Sequence, residues 1–210
     1  MSQEEMRLRN KELVVQKALE YFITNGIGNS KIKDIAKAAG LTERSAYRYF
    51  EEKADIVQAA GYLCWERTTE DIRAAFAAKD VSGLTGEEQI RELLSLYCDY
   101  FLERPGMSLF TLEAEVFLFH AGKNARVINR PPEKYETSQS PIVCAIRKGL
   151  EDGSLRDDID HKELYYNAYD AILGVLQRQT LDTQSAGELD AKKRMESLCS
   201  LFADAFAKKG

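Results

Sequence analysis

Proline is scarce in this chain, with 4 among 210 residues, and glycine stands at 13. Those counts exclude collagen-like and low-complexity chains and argue against a loop-rich sandwich, while leaving room for long helices. Histidine is scarcer still. His120 and His161 are the only two, so no histidine-rich metal site can be assembled. The four cysteines, Cys64, Cys98, Cys144 and Cys199, are scattered without the close spacing of a zinc knuckle or redox motif. They read as small buried hydrophobes of a reducing compartment. HExxH, GxSxG, Walker and GxGxxG patterns are all missing. An enzyme is therefore not expected, and neither is a cofactor or metal. The 34 acidic residues are most simply a solvated face. No run of 18 apolar residues occurs, so no membrane partner is expected. The first ten residues are charged and lead into nothing like a signal peptide. The expected location is cytoplasmic.

What remains is ordinary for a globular protein, with 44% apolar and 30% charged residues and a net charge of −5. A chain of this length buries roughly 70% of its unfolded surface and needs no staple. Apolar periodicity is helical nearly throughout, and no alternating strand run stands out. The fold class expected is all-α, with about nine helices. The spacing predicts helices over about Arg9–Asn25, a short one after Ser30 ending at Gly40, Glu43–Phe50, Lys53–Ala78, Gly86–Glu103 and Met107–His120. Met107–His120 is apolar on nearly every face and should be buried. Boundaries across 123–145 are poorly determined by a polar stretch with three prolines. A helix around Ile142–Leu150 ends near Gly153, and the last two run about Asp160–Leu181 and Glu188–Lys208.

The most informative segment is the pair of short helices around Gly40. Ile32, Ile35, Ala36 and Ala39 form one apolar stripe, and Gly40 supplies a turn conformation that is costly for other residues. Thr42 is a natural N-cap for the second helix. That helix has a thin apolar stripe, chiefly Ala46 and Phe50, so its polar side faces something outside. Such a helix-turn-helix presents its second helix to a duplex major groove. Residues 1–53 carry 10 basic and 8 acidic residues, the rest 19 and 26. The sign asymmetry suits DNA, although its size is small. An ordinary corner in a helical bundle would give the same spacing.

The stretch Leu13–Ala59 resembles the DNA-binding head of the tetracycline-repressor (TetR) family. Three pieces carry the likeness: ALEYFITNG at 18–26, IKDIAKAAGLTERSAYRYF at 32–50 with its aromatic ending, and EEKADIVQAA at 51–60, in gapless order over about 47 positions. The resemblance implies a helix-turn-helix domain over 1–53 and a helical effector-binding and dimerisation domain over 54–210. It implies phosphate contacts from Ser30, Lys31 and Thr42, base-edge contacts from Arg44 and Ser45, a backbone or thymine contact from Tyr47, a further contact from Arg48, and a phosphate clamp at Lys53. Arg44 stands where many members have glycine, and Glu43 where lysine is common, so no operator sequence carries over.

Beyond the head the likeness is one of helix rhythm. It implies a small-molecule effector in the aromatic centre, and Tyr62, Trp65, Tyr97, Phe101, Phe110, Phe117 and Tyr169 are the candidates. Glu113, flanked by Leu109, Phe110, Val116 and Phe117 at helical spacing, is the polar candidate, with Glu115 its rival. The apolar faces of the last two helices, with Leu164, Ala168, Ile172, Val175, Leu198, Phe202 and Phe206, imply a homodimer, and Gly174 would permit close helix approach. The expected partners are thus a palindromic double-stranded DNA operator, an unidentified effector and a second copy. The expected function is a transcriptional regulator, a repressor released by its effector. A helical binding bundle or enzyme whose corner never touches DNA is the alternative, and an activator with the same head is another.

Overall fold

The computed structural model describes residues 2–125, 140–181 and 190–208. Among them lie nine helices: α1 (Gln3–Asn25), α2 (Ile32–Ala38), α3 (Glu43–Tyr49), α4 (Lys53–Ala77), α5 (Gly86–Leu102), α6 (Pro105–His120), α7 (Pro141–Glu151), α8 (His161–Leu181) and α9 (Ala191–Phe206). The described residues hold no strand, only an isolated antiparallel bridge between Leu155 and Ala207. The expected all-α class is met. Pro131, Pro132 and the expected helix start at Glu188 lie outside the described residues.

Helix α1 begins two turns before the position that periodicity gave. Its first residues carry no apolar stripe and are exposed, so the start is set by a cap instead. The Ser2 hydroxyl accepts from the Glu5 N–H (3.1 Å) while the Glu5 carboxylate accepts from the Ser2 N–H (2.6 Å), a reciprocal capping box. The same device, with Thr85 and Glu88, opens α5. Helix α6 also starts earlier than expected. Pro105 breaks α5 but then serves as the first residue of α6, where its missing N–H costs nothing.

The chain divides into two compact units. One comprises Met1–Arg67 with Leu109–Pro131, the other Thr68–Ser108 with Pro132–Gly210. The boundary expected at residue 53 falls inside the first unit, which takes in the beginning of α4 and most of α6.

In the first unit the α1 stripe Val14, Ala18, Leu19 and Phe22 is buried with Ile35 and Ala36 of α2, Ala46 of α3 and Ile56, Val57 and Ala60 of α4. Phe110 of α6 is 1% exposed and stacks on Phe22, ring centroids 6.0 Å apart. Not every apolar side chain of α6 is covered, contrary to expectation. Val116 is 50% and Phe119 74% exposed.

In the second unit α5 packs on α7 and α9, and α8 on α9. Ile90, Leu94, Ile172, Met195, Ala203 and Phe206 are among its buried residues. Gly86 meets the backbone of Gly149 and Ala145 so closely that a Cβ would collide with main chain. The sequence pattern did not single out this close approach of α5 and α7. Nothing lies within 4 Å of a Cβ built at Gly174.

Candidate nucleic-acid interface

The turn between α2 and α3 is built from backbone. Gly40 has φ +72°, its N–H donates to the Lys37 carbonyl (3.0 Å), and the Leu41 N–H donates to the Ala36 carbonyl (2.8 Å). The two bonds form a Schellman stop, which needs a left-handed residue where Gly40 stands. It ends α2 after seven residues and turns the chain into α3. Thr42 then caps α3, its Oγ1 accepting from the Ser45 N–H at 3.2 Å. The Thr42 and Ser45 hydroxyls are also bonded to each other, 2.9 Å apart.

Helix α3 has one buried side. Ala46 is fully covered and Phe50, its C-cap, nearly so. Thr42, Arg44, Tyr47 and Arg48 are exposed and Ser45 is half-buried. Tyr47 is 45% exposed, a large apolar ring left in water beside an arginine. Lys31, at the N-cap of α2, is exposed too. These groups offer hydroxyl, guanidinium, ammonium and ring contacts on the helix-turn-helix, the chemistry that reads base edges and phosphates.

Tyr49 was not among the sequence candidates. Its hydroxyl accepts from the Asn10 amide (3.2 Å) and the Arg48 guanidinium (3.4 Å). Those two bonds, Asn10 first, draw its pKa below the usual tyrosine value. The Arg48 guanidinium lies 5.5 Å from the Tyr49 ring centroid. Arg48 therefore braces α3 against α1 through Tyr49. Sequence spacing cannot show this link, since Asn10 and Tyr49 are 39 residues apart.

Two sequence candidates turn the other way, into the loop that joins α1 to α2. Ser30 is 2% exposed. Its hydroxyl donates to the carbonyls of Gly26 (2.7 Å) and Tyr21 (3.2 Å), so it closes the end of α1 rather than meeting a phosphate. It does not cap α2 either, because that position belongs to Lys31. Lys53 is half-buried. Its ammonium donates to the Ile27 carbonyl and sits 5.7 Å from the Phe117 ring centroid. Burial lowers its pKa, and the charge of Glu113 opposes that shift. A cation held in this way is not a solvent-facing phosphate clamp.

Glu113 belongs to the same cluster. Its Oε2 accepts from the Ile27 N–H at 2.6 Å. Gly26 has φ +79° and ψ 157°, a region essentially reserved for glycine, and a Cβ there would stand 3.0 Å from Glu113 Oε1. The carboxylate expected to greet a ligand instead satisfies a buried backbone amide of the α1–α2 loop. A third tie lies nearby, where Lys123 bonds Asp55 and Glu52, each at 2.9 Å. The Lys123 bond, ahead of smaller effects, holds the Asp55 carboxyl below its ordinary pKa.

Residues 14–60, which hold all of α2 and α3, match the family model described as "Bacterial regulatory proteins, tetR family". That segment is similar to the DNA-binding part of the TetR family. Solved structures share its fold over nearly the whole length. A TetR family transcription regulator from Marinobacter aquaeolei VT8 aligns with a TM-score of 0.62 at 18% identity, covering 98% of this chain and 100% of that one. RolR in complex with its ligand resorcinol gives 0.66 at 15% identity, covering 97% and 90%. The fatty acid degradation regulator FadR from Bacillus halodurans gives 0.63 at 16%, covering 92% and 94%. Identities this low establish a common fold.

The other TetR-derived expectations are distributed over both units. Phe110, Glu113 and Phe117 are committed to the head-bearing unit as described. Tyr62 is exposed and Trp65 half-buried in that unit. In the second unit Tyr97 packs on Phe101 (5.0 Å between centroids) and Tyr169 (4.8 Å), three buried rings of one aromatic core. Glu115 is half-buried. Of the residues expected at the two-fold axis, Ala168, Ile172 and Phe206 are fully buried within their own unit. A side chain already enclosed by its own helices has no surface to offer a second copy, and these three offer none. Leu164, Val175, Leu198 and Phe202 keep part of their surface. Leu201, one residue outside the expected set, is 64% exposed. No described helix is long and apolar enough to cross a membrane, and no group of metal ligands occurs among the described residues.

Proposed function

We propose that this protein is a transcriptional repressor. It binds a palindromic operator as a homodimer and is released by a small-molecule effector. The observation that carries the reading is the division of α3, with Ala46 and Phe50 buried and Thr42, Arg44, Tyr47 and Arg48 exposed. Arg44 reaches a base edge, for which a bidentate contact to guanine is its strongest option. Lys31 and Thr42 meet phosphates, and Tyr47 contributes its ring to the backbone or a thymine methyl.

A single seven-residue helix reads too few base pairs for useful specificity. Two copies in successive major grooves, about 34 Å apart, supply the rest. The half-covered residues Leu164 and Val175 of α8 and Leu198 and Phe202 of α9, with exposed Leu201, form the face proposed for the second copy. RolR was solved with resorcinol, and a small organic effector is proposed here by analogy. Release then needs a ligand that favours the non-binding arrangement, since equal affinity for both shifts nothing. Glu113 gives such a shift a route to the head. Displacing α6 strains its bond to the Ile27 amide.

Selection of genomic fragments with purified protein, followed by footprinting, tests the reading. The expected result is a protected palindrome with half-sites one helical turn apart. Absence of any protected sequence at low salt would favour a helical binding bundle or enzyme. Binding that no candidate effector weakens would favour an activator or an effector-insensitive regulator.

A further inference from the structure

The four cysteines look unrelated in sequence, yet folding brings two of them together. Cys98 lies on α5 and Cys199 on α9, 101 residues apart, with their sulfurs 2.7 Å from each other. Both helices belong to the second compact unit. The side chains are buried, 3% and 4% exposed. A disulfide needs about 2.0 Å between sulfurs, so bond formation asks for less than an ångström of approach. Both residues are thiols in this state. Nothing in the DNA-reading account uses them, and no metal-binding cluster among the described residues claims them.

We propose that Cys98 and Cys199 form an oxidisable dithiol, closed by hydrogen peroxide into an intrachain disulfide that fastens α9 to α5. The Cys199 thiolate attacks one peroxide oxygen. The O–O bond breaks, and the departing hydroxide takes the thiol proton and leaves as water. The resulting sulfenic acid is then attacked at sulfur by Cys98. An S–S bond forms, the S–O bond breaks, and the hydroxyl leaves with the Cys98 proton as a second water. Two thiols lose two electrons and two protons, and one peroxide becomes two waters. Cys199 is written as the attacking sulfur, and because either sulfur can donate in the contact, attack by Cys98 would close the same disulfide. Burial restricts access to water-sized oxidants and shields the sulfenic acid from bulky thiols.

Intact mass and peptide mapping test this on the full chain. Reduced, desalted protein is treated with hydrogen peroxide at a dose that spares its methionines, then unfolded, alkylated and digested without reductant. The expected outcome is a monomer about 2 Da lighter before alkylation, a peptide pair joined through Cys98 and Cys199, and alkyl groups on Cys64 and Cys144. Alkylation of Cys98 and Cys199 after treatment would overturn the proposal. So would a bond from either to a different cysteine, or a sulfinic or sulfonic acid in place of the bond. A Cys98→Ala variant adds a second reading, since its Cys199 sulfenic acid should be trapped by dimedone. If that variant does not fold, the wild-type map alone decides.

Discussion

Two polar clusters flank the helix-turn-helix, and they do opposite things. The one on α3 and the N-cap of α2 (Lys31, Thr42, Arg44, Ser45, Tyr47) is turned largely to solvent. The one at the α1–α2 loop (Ser30, Lys53, Glu113) is turned inward. The residue types are nearly the same. The difference lies in what the backbone leaves unpaired. Helix α3 receives its own cap from Thr42, so Arg44 and Tyr47 owe nothing to the fold. The loop after α1 leaves the Ile27 N–H and C=O and the Gly26 C=O without helical partners. Glu113, Lys53 and Ser30 supply them. A buried backbone group without a partner costs about 1–3 kcal/mol, so these three side chains are spoken for before any DNA arrives.

The comparison can be broken most forcefully at Gly26. Gly26→Ala should destabilise the fold by about 3 kcal/mol, through a glycine-only backbone conformation and a collision with Glu113. Urea unfolding would show it, and an unchanged midpoint would mean the loop relaxes freely. Glu113→Ala comes next, at about 2 kcal/mol for the orphaned Ile27 amide. Glu113→Gln, which keeps an acceptor, should recover a measurable part.

On the outward cluster the ranking of readouts reverses. Arg44→Ala should leave stability within about 0.5 kcal/mol, yet cost roughly 1–3 kcal/mol of operator binding and relax base preference at one position per half-site. Equal affinity for all base substitutions in wild type and variant would remove Arg44 from base reading.

The smallest and sharpest contrast pairs two lysines. Lys31→Ala should weaken every duplex alike and lower the salt slope by about one unit. Lys53→Met should lower stability while leaving that slope unchanged. If the slopes respond the other way round, the inward assignment of Lys53 is wrong.

Much of the head was legible from one chain because its signals are local. The Gly40 stop, the Thr42 cap and the Ala46–Phe50 side of α3 each depend on residues within a few positions, and all three stand where the pattern put them. Ser30 and Lys53 misled for the converse reason. Lys53 reaches Ile27 and Phe117, 26 and 64 residues away, which no helical period reports, and Ser30 turns back to Gly26 and Tyr21 at the end of the preceding helix instead of forward to α2. Glu113 was rightly singled out as a carboxylate among apolar neighbours, but its partner is an amide 86 residues upstream. The faces of α8 and α9 were legible as stripes. Sequence does not say which side of a stripe is consumed inside the chain, so Phe206 of the expected set is enclosed while Leu201, outside it, is exposed. The Cys98–Cys199 approach was invisible for the same reason.

The contact of Gly86 with Gly149 has a consequence for how the second unit can deform. Main chain touches main chain there, and no side chain lies between the two helices to rotate, compress or slide. Helix α5 and helix α7 are therefore obliged to travel together, like two rods welded at one point. A random mutagenesis library should return glycine and nothing else at Gly86, where a Cβ meets main chain, and should be less strict at Gly149, where it meets the Leu155 side chain.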